Sequence, residues 1–199
     1  MENNDKQLFT LTVYSEHTVG LLNQVSIIFT RRCLNIEDVS ASRTSLDGVH
    51  RLTITVWSDR ETMEKVVKQI EKRIDVLRAF LYTDEDVIYQ EVALYKVDTQ
   101  ELLKEQCLES IIRHHSARIL DITPDFTVIE KTGQPWETEA LLEELRPFSL
   151  KQFVRSGRVC VTKSPIEKLD RYLDEQELRY LNVQMEEEHK QRLREMENK

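Results

Sequence analysis

The sequence predicts an α+β protein, with two successive βαββαβ units and a charged helical tail. Three observations predict it. Apolar residues alternate at period two in some segments and recur at helical spacing in others. These segments run strand, helix, strand, strand, helix, strand, and the same order then repeats. The 199 residues hold only four glycines and four prolines, and after Gly157 and Pro165 no helix breaker remains.

Each element has its own pattern. Leu8 to Tyr14 is an apolar and β-branched strand. Leu21, Leu22, Val25, Ile28 and Phe29 form one helical stripe. Ile36, Val39 and Ala41 mark a second strand, and Asp47-Gly48 is a turn. Leu52, Ile54 and Val56 alternate with Arg51, Thr53 and Thr55, the period of a half-buried strand. Met63, Val66, Val67, Ile70 and Ile74 form a second helical stripe, and Val76 to Tyr82 is a fourth strand. This is a split βαβ unit of ferredoxin-like type.

The second unit repeats the order with little residue identity. Val87 to Val97 is a strand, and Leu103, Cys107, Leu108, Ile111 and Ile112 mark a helix. Ala117 to Ile122 and Phe126 to Ile129 form a hairpin around Thr123-Pro124-Asp125. Trp136, Ala140, Leu141, Leu142 and Leu145 mark the next helix. Phe148 to Val154, with Val159 to Val161, closes the unit. The expected domains are residues 1–84, 85–164 and 165–199. In the last, Leu178, Leu181, Met185, Leu193 and Met196 lie near a heptad-like seam. A partner-binding coiled coil and a charged terminal helix both fit that seam.

The totals exclude several classes. A net charge of −8 opposes nonspecific nucleic-acid binding, which needs Lys and Arg on phosphates. No apolar run approaches the roughly 20 residues of a membrane span. Met1 to Lys6 lacks the basic-then-apolar pattern of a signal peptide, so the cytoplasm is the expected location. Cys33, Cys107 and Cys160 are widely spaced, with no C-x-x-C pair, and are expected as buried thiols. No G-x-S-x-G, P-loop or H-E-x-x-H is present, so catalysis by this chain alone is not expected. His114 and His115, with Cys107 and Asp121, suggest a metal cluster, but adjacent helical residues point about 100° apart. No metal site is therefore expected.

The most informative position is Gly20, between the first strand and the first helix. A glycine there permits a tight turn and leaves the first N–H groups of the helix open to an anion. Asn35 precedes the second strand, and in a split βαβ unit the two turns are expected to flank one groove. Gly20 would hold a carboxylate and Asn35 an ammonium, which suits a free amino acid better than a phosphate. His17 either reaches this groove or faces solvent.

The stretch Glu16-His17-Thr18-Val19-Gly20-Leu21-Leu22, with Val25, Phe29 and Asn35-Ile36-Glu37, resembles the ACT domain of the regulatory (small) subunit of acetolactate synthase, or acetohydroxyacid synthase. Ala117 to Asp125, Ile129 to Gly133, Leu145 to Phe148 and Val154 to Val159 resemble the second domain of that family. The resemblance covers roughly Leu8 to Lys163. It implies a subunit that binds and activates a catalytic (large) subunit and confers feedback inhibition by valine. The holoenzyme makes acetolactate from pyruvate, on the way to valine, leucine and isoleucine. Thiamine diphosphate, Mg2+ and FAD are expected on the catalytic subunit and none on this chain. The implied valine-binding residues are His17, Gly20, Leu21, Asn35 and Ile36, the last two from the neighbouring protomer of a homodimer. An ACT-domain sensor serving a different metabolic enzyme shares the first-domain reading. The family often has Asn at the place of His17 and Gly at the place of Cys33.

Overall fold

The computed structural model describes residues 6–104 and 108–178. Cys107 and the seam residues Leu181, Met185, Leu193 and Met196 lie outside the described residues. Residues 1–161 form one compact unit and residues 162–199 a second. In the second, residues 168–178 are helical.

The first sheet takes β1 (Gln7–Glu16), β2 (Ile36–Arg43), β3 (Val49–Ser58) and β4 (Val76–Tyr82), in the order β2-β3-β1-β4. Every pairing is antiparallel, and the register sets Glu16 opposite Val49 and Phe9 opposite Val56. Two helices, α1 (Leu21–Thr30) and α2 (Arg60–Ile70), pack on one face. Alternation sends Phe9, Leu11 and Val13 into that face with Leu52, Ile54 and Val56. Val25, Ile28, Phe29, Met63, Val66 and Ile70 meet them from the helices. Asp59 caps α2 by accepting from Thr62 N–H at 2.8 Å. The helix ends at Ile70, so Ile74 lies beyond the stripe and is exposed.

The second sheet takes β5 (Val87–Val97), β6 (Arg118–Ile122), β7 (Thr127–Gly133) and β8 (Leu150–Arg155), in the order β6-β7-β5-β8. A short β9 (Val159–Thr162) also pairs with β5. The crossover carries α3 (Thr99–Lys104) and α4 (Leu108–His114), and α5 (Pro135–Leu145) follows β7. A 3-10 turn, Arg146–Phe148, occupies the expected start of the closing strand, because Pro147 cannot donate to a ladder. The buried face of α5 is Thr138, Leu141, Leu142 and Leu145, while Trp136 and Ala140 face solvent. Trp136 stands in the first turn, where the apolar spacing reads the wrong face.

A polar layer joins the two sheets. The helix-free face of the first buries Thr10, Thr12, Thr53 and Thr55. Arg158, only 6% exposed, donates to Asp84 at 2.6 Å and lies over the Tyr89 ring at 3.8 Å. Gly157 sits against Asp38 and Val39, where a Cβ would meet the Asp38 Cβ at 3.3 Å and the Val39 carbonyl at 3.4 Å. The Ser156-Gly157 pair thus reads as a close-approach device between the sheets. Tyr82, Val87, Tyr89 and Cys160 form a small apolar cluster of their own.

The thiols divide. Cys160 is buried, and burial pushes its thiol up against the opposing pull of Arg51. Cys33 is exposed, against expectation. It stands in the turn after α1 at φ 53, a left-handed conformation that glycine enters without strain. The glycine that the resemblance implies for this place would adopt it freely.

Candidate functional site

The β1–α1 turn has the form the sequence suggests. Gly20 takes φ 88, and a Cβ added there would meet nothing within 4 Å. No side chain caps α1, and its first turn holds no acidic residue. The first helical bond runs from Gln24 N–H to the Gly20 carbonyl at 3.0 Å. Residues Leu21 to Asn23 therefore direct their N–H groups out of the helix end, with the positive end of its dipole.

Beside this turn lies a cavity of about 170 Å³. The turn lines it with His17 and Thr18, α1 with Leu21 and Leu22, and β3 with His50 and Leu52. Ser15, Glu16, Ala41 and Arg51 also line it. The Ser15 and Thr18 hydroxyls are buried and have no hydrogen-bond partner among the described residues. A buried polar group costs free energy unless it is paired, so these two hydroxyls are suited to meet a ligand. His17 stacks on His50 with ring centroids 3.9 Å apart and planes 10° apart. Partial desolvation, then His17 and Arg43, lowers the His50 pKa.

Asn35 and Ile36 are elsewhere. They stand at the opposite end of α1, whose ten residues span about 15 Å. Ile36 pairs with Val56, while Glu16 pairs with Val49 at the other end of β3. Within one chain the two turns do not flank one groove, which corrects that expectation. The end of β2, at Ala41, lies beside Gly20 instead of its start.

The strand that walls the cavity is tied to the second half of the fold. His50 and Leu52 line the cavity, and the alternation of β3 sends the Arg51 side chain through to the other face. There Arg51 donates to the Cys160 carbonyl at 2.8 Å and approaches its sulfur at 3.2 Å. Ser15 and His50 line the cavity although no motif in the sequence marks them. One signal existed for Ser15: it continues the core-facing series Leu11 and Val13 with a hydroxyl.

His114 and His115 also differ from expectation. The helix α4 ends at His114, and Ser116 turns at φ 49. The two rings meet edge to face with centroids 4.9 Å apart, and His115 Nε2 lies 2.5 Å from Glu144 Oε2 of α5. Asp121 is not in this group, and Cys107 lies outside the described residues.

Known proteins divide the chain in the same two parts. A family model described as the AHAS small subunit-like ACT domain matches residues 11–78. A second, described as the small subunit of acetolactate synthase, matches residues 90–164. An acetolactate synthase small subunit of Bacillus subtilis is 32% identical over 164 residues, 82% of this chain and 94% of that one. One of Mycobacterium leprae is 33% identical over 156 residues, 78% of this chain and 92% of that one. The crystal structure of the small subunit from Thermotoga maritima shares the fold, with a TM-score of 0.73 at 24% identity. It covers 80% of this chain and 99% of that one.

Proposed function

Since the chain belongs to the family of acetolactate synthase small subunits, we propose that it activates a thiamine-diphosphate-dependent catalytic subunit and confers feedback inhibition by valine. The effector reading rests on the β1–α1 turn, with its uncapped helix, open Gly20 and adjoining cavity with two unpaired hydroxyls. The valine carboxylate accepts from the Leu21 and Leu22 N–H groups, and its isopropyl group lies against Leu21, Ala41 and Leu52. The ammonium donates to a buried hydroxyl. Hydrogen bonds to charged groups contribute roughly 1.5–3 kcal/mol each, which after ordering costs fits micromolar to millimolar affinity. One methylene separates valine from leucine or isoleucine, worth about 1–3 kcal/mol, so partial responses to both are expected.

A homodimer completes the site on this reading. β2 is the terminal strand of its sheet, and Val39 and Leu22 near it are exposed apolar residues. A two-fold axis beside β2 reverses the strand direction. The start of the second copy's β2 then faces the end of the first, so Asn35 and Ile36 of the partner subunit come beside Gly20 and His17. The length of α1, about 15 Å, keeps the two turns of one chain apart, so on this reading a second copy supplies Asn35 and Ile36.

Coupling follows by linkage, because valine biases the arrangement that the catalytic subunit also reads. Arg51 supplies a physical route, since the strand that walls the cavity is tied through its guanidinium to β9. Thiamine diphosphate, Mg2+ and FAD belong to the catalytic subunit on this reading. The test is to titrate valine into the reconstituted holoenzyme. The expected outcome is a saturable fall in rate, and no change up to high millimolar valine would remove feedback control.

A further inference from the structure

We propose that His114, His115 and Glu144 form a binding site for a divalent transition-metal cation of the Zn2+ class. Their ligand atoms all lie within 4.8 Å of one another, and they are the one such group among the described residues. Two imidazole nitrogens and a carboxylate oxygen are a common donor set for Zn2+, Co2+ and Ni2+, and a poor one for Mg2+ or Ca2+.

The local backbone builds the site. α4 ends at His114, the His115 N–H still donates to the Ile111 carbonyl at 3.0 Å, and the two rings meet edge to face. Ser116, at φ 49, completes the turn into β6. The His115 side chain is only 10% exposed and already meets the Glu144 carboxylate. It is the fixed member of the set. His114 and Glu144 are exposed and free to rotate by the small amount that bonds of about 2.0–2.2 Å require. Three protein ligands leave a fourth position for water. A bound cation would tie the end of α4 to α5, two of the helices of the second half.

The experiment is a titration of the purified full-length chain with Zn2+, and with Co2+ followed by visible absorption. One equivalent is expected to bind saturably, with the Co2+ spectrum of a low-coordinate nitrogen and oxygen site. Excess Mg2+ is expected not to compete. His114→Ala and Glu144→Gln are expected to weaken Zn2+ binding at least about tenfold, since even an outer partner of a metal ligand is worth about 10–100-fold. Both residues are exposed, so both variants are expected to keep the wild-type circular dichroism. A His17→Ala/His50→Ala double variant is expected to bind as wild type. The proposal is overturned if no saturable binding occurs or if those two single variants bind as tightly as wild type. Loss of binding in the His17→Ala/His50→Ala variant overturns it too, since the site would then be the stacked pair.

Discussion

The two halves of the molecule solve the same corner differently. In each, the first strand of a βαββαβ unit turns into a helix. In the second half Asp98 fills that corner, accepting from the N–H of Gln100 at 2.9 Å and of Glu101 at 3.1 Å. Lys151 holds the carboxylate from β8 at 3.0 Å. Its hydrogen bond, then the backbone N–H of Glu101, lowers the Asp98 pKa. In the first half the same corner is Gly20, with no side-chain cap and a cavity beside it. One unit carries its own anion, and the other leaves its helix end uncapped. The sheet faces differ in the same sense. The helix-free face of the first sheet is buried under a polar layer, whereas that of the second exposes Ile88, Leu94, Val154 and Val161.

Separating the halves is expected to give the largest effect. Arg158→Met removes a buried guanidinium that meets Asp84 and Tyr89. Breaking a buried pair costs about 3–5 kcal/mol, but Asp84 is partly exposed, so about 2 kcal/mol is expected. Urea unfolding checks it, and a loss below the error of the midpoint would mean that the polar layer is not what joins the sheets.

The next tests act on the two corners. Gly20→Asp places a carboxylate in the first corner, as Asp98 does in the second. A non-glycine residue at φ 88 costs roughly 1–2 kcal/mol of strain. On the proposed reading, valine at 100 times its Kd is expected to stabilise wild type by about 2.7 kcal/mol and to leave the variant unchanged. At roughly 2–4 °C per kcal/mol the wild-type shift is several degrees in a thermal melt. An equal shift in both proteins would put the ligand elsewhere. Asp98→Ala removes the second cap and is expected to cost about 1 kcal/mol, with the valine shift intact. Loss of that shift would mean that the corners are not independent.

Much of this comparison was legible in the sequence. Strand alternation marked β3, because a period of two survives wherever one face is buried, and the runs Val76 to Tyr82 and Val87 to Val97 match β4 and β5. Gly20 was legible because a lone glycine between a strand and a helix has few other uses. The cavity's other walls were not. His50 and Ala41 reach it only through the β1–β3 and β2–β3 registers, which no local pattern encodes. Asn35 was read into the wrong end for the same reason: the length of α1, not its stripe, decides which turn meets which. His114 and His115 sit at the end of α4, and their approach to Glu144 of α5 depends on packing between the two helices, which no local spacing encodes.

The smallest expected effect concerns the mouth of the first corner, where the second half has no counterpart. His50 stacks on His17, with Arg43 and Arg51 on the neighbouring strand positions and Glu16 beside the turn. Partial desolvation, then the His17 and Arg43 charges, disfavours the protonated His50, so its folded pKa lies below the unfolded value. Between those values the unfolded chain binds more protons. The contribution of His50 is therefore whole at neutral pH and is lost as pH falls below about 6.5, the ordinary histidine value. His50→Gln removes the titrating group while keeping a polar side chain at the mouth. Melting temperatures from pH 7.5 to 5 are expected to fall less steeply in this variant than in wild type. Parallel profiles would show that His50 does not set the acid sensitivity in this window, and a carboxylate such as Asp98, with its lowered pKa, loses its contribution only at far lower pH. A difference confined to the range just below neutrality would instead mark the imidazole stack as the acid-sensitive part of the cavity wall.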